Sequence, residues 1–106
     1  MPNSVVFVRD AERLTAFALR HRMVSCFDAA PSLVDAGGLM SYGADLAAAA
    51  RRAAELVDRI ARGAKPADLP IEQSTRFALR INLKTAKALG IAFSPTFLAT
   101  ADDVIE

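Results

Sequence analysis

A chain of 106 residues has room for one small domain, whose core can bury roughly 60 to 70% of the surface the unfolded chain exposes without disulfides or a metal. With 53% hydrophobic and 24% charged residues the composition is that of a globular domain, which excludes a disordered tail and a collagen-like repeat. Thirteen Lys and Arg against twelve Asp and Glu leave a net charge of +1, so no overall field exists to hold nucleic acid or an anionic membrane.

In chain order, the β-branched and aromatic run Val5, Val6, Phe7 and Val8 reads as a short buried strand entering a turn at Arg9 and Asp10. Arg9, Asp10, Glu12 and Arg13 interrupt what an export signal would need as a continuous apolar core, so none is expected here. From Asp10 as cap, Ala11, Leu14, Phe17 and Ala18 recur at helical spacing and predict a helix to about His21. Met23 to Phe27 is again short and apolar, and Asp28 with Pro31 ends it as a second strand. Strand, helix, strand is the signature of a parallel sheet.

Pro31 opens one helical turn, and Gly37 and Gly38 mark a sharp turn after it. Leu39 to Tyr42 reads as a third strand, and Gly43 releases the chain into a long helix over residues 44–62. Its expected inner stripe is Leu46, Ala49, Ala50, Ala53, Leu56, Val57 and Ile60, while Arg51 with Glu55, Glu55 with Arg59 and Asp58 with Arg62 are opposite charges four residues apart. Gly63 suits the position just past the helix end, and Pro66 and Pro70 bracket a connector. Residues 71–73 and 77–83 read as extended, the second with Phe77, Leu79, Ile81 and Leu83 alternating against Ala78, Arg80 and Asn82. Asn82 is the expected cap of a two-turn helix closed by Gly90, and Ser94 with Pro95 opens another. No repeat or linker divides the chain, which predicts a single α/β unit over residues 1–106.

Few residues suit catalysis. Cys26 and His21 would need to meet as a thiolate and its base, but Cys26 falls within an apolar strand, where cysteine behaves as a small hydrophobe. One Cys and one His cannot supply a structural zinc site, and no cofactor is expected. Gly63 and Lys65 end a helix where a phosphate loop would open one, and Ser41 lacks the flanking glycines of a nucleophile elbow. In open parallel sheets small molecules bind outside the carboxyl ends of the strands, which places Phe27, Asp28, Ser41 and Tyr42 near any such crevice. The plainer alternatives are that Tyr42 packs its ring with the hydroxyl on a partner and that Asp28 caps the following turn.

The segment Val34-Asp35-Ala36-Gly37-Gly38-Leu39-Met40-Ser41-Tyr42-Gly43-Ala44-Asp45-Leu46 resembles the C-terminal part of the substrate-binding proteins of ABC transporters, in the family that includes tryptophan- and tyrosine-binding members. Gly63 to Gln73 is similar to that family's connector, Ile81-Asn82-Leu83-Lys84-Thr85-Ala86-Lys87-Ala88-Leu89-Gly90 to its closing segment, and Ala101 to Glu106 to its end. The chain departs from the pattern after Ser25, where the family's strand is led by Pro and ends in an aromatic residue, and Asp28 follows Phe27 here.

The resemblance implies an α/β fold of the type I periplasmic-binding-protein kind, of which this chain is a parallel-sheet lobe fragment matching the last third of a two-lobed protein. It implies a non-enzymatic, periplasmic component that binds a small solute such as an amino acid and delivers it to the membrane permease of an ABC transporter. Ser41 and Tyr42 match the motif near the cleft, and Asp28 joins them by position as a ligand-binding residue. The competing expectation is a self-standing interaction domain, a homo-oligomer joined through the Ala-rich helix 44–62, that binds no solute.

Overall fold

The computed structural model describes residues 5–106. The elements run α1 (Val5–Arg9), α2 (Ala11–Arg20), β1 (Cys26–Phe27), α3 (Pro31–Asp35), β2 (Met40–Ala44), α4 (Leu46–Ala61), a 3-10 turn (Pro66–Asp68), β3 (Phe77–Asn82), α5 (Leu83–Leu89), α6 (Pro95–Leu98) and β4 (Asp103–Ile105). The four strands form one sheet in the order β1-β2-β3-β4. β1 runs parallel to β2, with Phe27 opposite Ser41, and β3 parallel to β4, with Ile81 opposite Val104. The middle pair is antiparallel: Asn82 N donates to Leu39 O and Asp45 N to Arg76 O, so the partner number falls as the chain advances along β2. The expected α/β class and mostly parallel sheet are therefore present.

The first expected strand is instead a helix. Four consecutive apolar residues carry no periodicity that separates strand from helix. No described strand pairs with residues 5–8; Val5, Val6 and Val8 are exposed, and Asp10 N donates to Val6 O at 3.1 Å as α1 runs into α2. Asp10 holds the expected N-cap position of α2 but makes no side-chain cap bond, and its carboxylate lies 3.8 Å from Arg13. The second strand shortens to Cys26–Phe27, with Met23 and Val24 exposed before it.

The chain divides into two compact units, one made of residues up to Gly43 together with Ala78–Glu106, the other of Ala44–Phe77. Both divisions fall inside strands, β2 and β3. In the first unit Phe27, Ala30, Leu33 and Ala11 form a buried cluster with Leu14 and Ala36 against it, and Val34, Leu39, Ile81 and Ala86 are buried as well. Three buried polar side chains hold the end of α3. Thr15 donates to Ala36 O at 2.8 Å, Thr85 to Gly37 O at 2.8 Å and Asn82 Nδ2 to Val34 O at 3.1 Å. A helix end leaves carbonyls without intrahelical partners, and these side chains satisfy them where water has no access. Gly37, at φ +113°, takes the left-handed position that lets Gly38 N reach back to Leu33 O at 2.8 Å. Arg80 ties α3 to the sheet through Asp35 at 2.8 Å and Asp103 at 3.1 Å.

In the second unit α4 starts at Asp45, whose Oδ1 accepts from Ala48 N at 3.0 Å, so the cap is Asp45 and the helix begins two residues later than expected. The expected inner stripe is not covered in this chain: α4 buries no residue, and Leu46 and Val57 are 59% and 64% exposed. Of the expected charge pairs, Asp58 with Arg62 forms at 2.9 Å. Glu55 meets Arg52 instead, three residues back, because Arg52 also grips Glu72 with two bonds and its fork is thereby fixed toward both carboxylates. Residues 71–73 carry no assigned secondary structure and do not join the sheet. No helix of the described residues is long and apolar enough to cross a membrane.

Candidate functional site

β1 and β2 lie side by side and run the same way, so their carboxyl ends open on one edge of the sheet, where α/β folds place ligands. Burial along β2 alternates, with Ser41 and Gly43 buried and Tyr42 exposed between them. Ser41, 3% exposed, therefore shares the covered face with its register partner Phe27, while Tyr42, 54% exposed, stands on the other face. The strand pleat thus separates two of the three expected site residues. Ser41 lies on the covered face of β2, and Tyr42 on the more exposed one.

Asp28 follows the last residue of β1 and is exposed. Its loop is pressed onto β2. A side chain at Gly43 would sit 2.5 Å from Ala29 N, 2.6 Å from Asp28 Oδ1 and 2.8 Å from Ala29 Cβ, so only a glycine admits this approach. Ala29 is in the left-handed region at φ 45°, a conformation that costs an L-residue about 1 to 2 kcal/mol. Phe27 and Ala30, 4% and 2% exposed, bracket the pair and fix it in place. Asp28 does not serve α3 as a cap, since the N-cap position is Ala30 and no side chain bonds there. Among the described residues nothing makes an ion pair or hydrogen bond to the Asp28 carboxylate. The structure thus brings Asp28 and Gly43 together. Ala29 and Gly43 escaped the sequence reading, although a glycine inside a strand is a signal of close backbone approach.

A concavity of about 430 Å³ lies within the second unit between α4 and residues 72–76. Its charged groups are already matched: Arg52 with Glu72 and Glu55, Arg76 with Asp45 at 3.1 Å. The bonds from Arg52 hold the Glu72 carboxyl below its ordinary value of 4.5, and the Ala48 amide, with Arg76, does the same for Asp45. This groove reads as a clasp that fastens residues 72–76 to the helix.

Cys26 is exposed at the edge strand, contrary to the buried position expected of it. His21 caps the C-terminal end of α2, and its ring lies 4.3 Å from that of Phe17. Among the described residues no group of three or more His, Cys, Asp or Glu is arranged to hold a metal ion.

Residues 7–105 match the family model described as ABC transporter substrate binding protein. No curated protein matches the chain. Among solved structures, a conserved domain protein of Vibrio cholerae O1 biovar El Tor superposes with a TM-score of 0.80 at 25% identity, over 97% of this chain and 34% of that one. An ABC domain from Streptococcus pneumonia, in complex with L-Trp, gives 0.73 at 27% identity over 87% of this chain and 32% of that one. A ligand-free, open substrate binding protein with adhesive properties from Clostridium difficile shares the fold, with a TM-score of 0.67 at 17% identity, over 98% of this chain and 34% of that one. The chain spans about a third of the length of these structures.

Proposed function

Because the chain belongs to the family of ABC transporter substrate-binding proteins, we propose that it forms the last third of a two-lobed, periplasmic solute-binding protein that holds an amino acid and hands it to the permease of an ABC transporter. The observation that carries this reading is the family match over residues 7–105, and the similarity to a structure holding L-Trp favours an amino acid as solute. The task is binding without catalysis. Asp28 and Tyr42 contact the solute at the strand ends, Ser41 supports the strand from its covered face, and hinge closure between two lobes traps the solute.

The test is a thermal melt of the chain with each of the twenty standard L-amino acids. A ligand that binds only the native state raises stability by about 2.7 kcal/mol at a hundredfold excess over its dissociation constant. A selective rise in melting temperature supports the reading, and a cooperative melt that no amino acid moves removes solute binding from this chain.

A second reading is favoured by the uncovered apolar stripe of α4: the chain self-associates through this helix and binds no solute.

A further inference from the structure

We propose that Thr85 is a positioning residue of the solute site: through the Gly37 carbonyl it holds the end of α3, and through α3 it holds the loop of Asp28, Ala29 and Ala30 in place. The inference deepens the solute-binding reading and rests on it for the role of that loop.

The two ends of α3 are held unequally. Every residue from Val34 to Gly37 is gripped by a side chain of another element: Asn82 Nδ2 donates to Val34 O at 3.1 Å, Arg80 meets the Asp35 carboxylate at 2.8 Å, and the hydroxyls of Thr15 and Thr85 lie 2.8 Å from Ala36 O and Gly37 O. At the other end the N-cap is Ala30, no side chain makes a cap bond, and Pro31 has no N–H to give. Yet the loop at that end carries the strain, with Ala29 left-handed at φ 45°. Backbone strain persists only where the surroundings over-determine it.

α3 can carry the grip to the loop because it is short and internally bonded. Its five residues span about 7.5 Å. Leu33 N donates to Ala30 O at 3.1 Å and Ala36 N to Ser32 O at 3.0 Å, while Leu33 and Val34, 1% and 0% exposed, are packed on all sides. A shift at Gly37 is therefore passed to Ala30 as a shift of the whole helix.

Of the four grips, that of Thr85 is undivided. The Thr15 hydroxyl also lies 2.9 Å from Ala11 O in its own helix and has one proton for both acceptors. Asn82 also caps α5, and Arg80 is shared with Asp103. The Thr85 hydroxyl bonds Gly37 O alone among the described residues, and Gly37, at φ +113°, is where the chain turns out of α3.

The experiment compares wild type with Thr85→Val, which keeps the shape and removes the hydroxyl, and with Thr85→Ser, which keeps the hydroxyl, each well below its melting temperature so that only the native state is read. Nuclear magnetic resonance reports on Ala29, since a left-handed residue holds its N–H close to its own Hα and gives a strong intraresidue cross-peak. That cross-peak is expected to weaken in Thr85→Val and to return in Thr85→Ser. Calorimetric titration with L-tryptophan, or with whichever standard amino acid the melt selects, reads the consequence. Affinity is expected to fall about three- to tenfold in Thr85→Val, in proportion to the molecules that keep the loop in place, and to recover in Thr85→Ser. Should Thr85→Val not melt cooperatively, Thr85→Ala decides instead, since alanine removes the hydroxyl and favours the helix. An unchanged Ala29 cross-peak, the same loss in Thr85→Ser, or unchanged affinity overturns the inference and leaves solute binding standing. If none of the twenty amino acids binds the wild type, the solute-binding reading fails and Thr85 has no solute site to position, while the Ala29 cross-peak still decides whether α3 couples the two.

Discussion

Asn82 serves two elements at once: its Nδ2 donates to Val34 O at the end of α3, while its Oδ1 accepts from Thr85 N and caps α5. The side chain is 5% exposed, so neither bond can be replaced by water. Its two ends need different chemistry, a donor toward Val34 and an acceptor toward Thr85, and the asparagine amide supplies both.

Replacing Asn82 separates the two roles. Asn82→Asp keeps the cap but turns an acceptor toward the Val34 carbonyl. It is expected to cost about 2 to 3 kcal/mol, although aspartate is as good a cap as asparagine. Asn82→Ala loses both bonds and is expected to cost at least as much. Urea denaturation midpoints check this, and an Asp variant as stable as wild type would show that the Val34 bond contributes nothing.

The approach of β2 to the Asp28 loop makes a second prediction. Gly43→Ala drives a Cβ into Ala29 N and Asp28 Oδ1 and is expected to destabilise by about 1 to 3 kcal/mol. Ala29→Gly relieves the left-handed strain and removes one of the clashing atoms. The double variant should therefore be less destabilised than Gly43→Ala alone, and by more than Ala29→Gly gains by itself. Additive effects in the double-mutant cycle would mean that the two residues do not press on each other.

Acid should loosen the second unit first. Asp45 and Glu72 have carboxyl values lowered from 3.8 and 4.5, the first mainly by the Ala48 amide and the second by Arg52. A lowered folded value means the unfolded chain binds the proton more readily, so these contributions are present above the unfolded value and disappear as pH falls through the folded one. Amide exchange at Ala48 should accelerate as pH drops from about 5 to below about 3, relative to its intrinsic rate, with Asp45→Asn showing less of this change. Glu72 is exposed, so added salt should weaken its contribution.

The stripe of α4 is open to a direct test by light scattering. If the helix joins two copies, Leu56→Asp and Ile60→Asp convert a dimer to monomers, because each places a charge within the apolar contact. A monomeric wild-type chain at high concentration rejects that reading.

Much of the fold was legible from local chemistry. The caps at Asn82 and Ser94, the turn at Gly37 and the end of α4 at Gly63 all follow from what one side chain, or the lack of one, does to adjacent backbone. The candidate site was legible only in part. Asp28, Ser41 and Tyr42 could be placed at strand ends, but the pleat that buries Ser41 and exposes Tyr42 depends on which face the helices cover.

What the sequence determined by itself was the α/β alternation, the long amphipathic helix and the family, because periodicity, capping and motif spacing act over a few residues. Tertiary structure decided the rest. It made residues 5–8 a helix, since a strand exists only with a neighbour to bond and none of the described strands offers one. It reversed the direction between β2 and β3 and moved the partner of Glu55 from Arg51 and Arg59 to Arg52, held there by Glu72 seventeen residues further on. It also pressed the Asp28 loop onto Gly43, a contact between positions 15 residues apart that no local pattern encodes, because it depends on two strands lying in register.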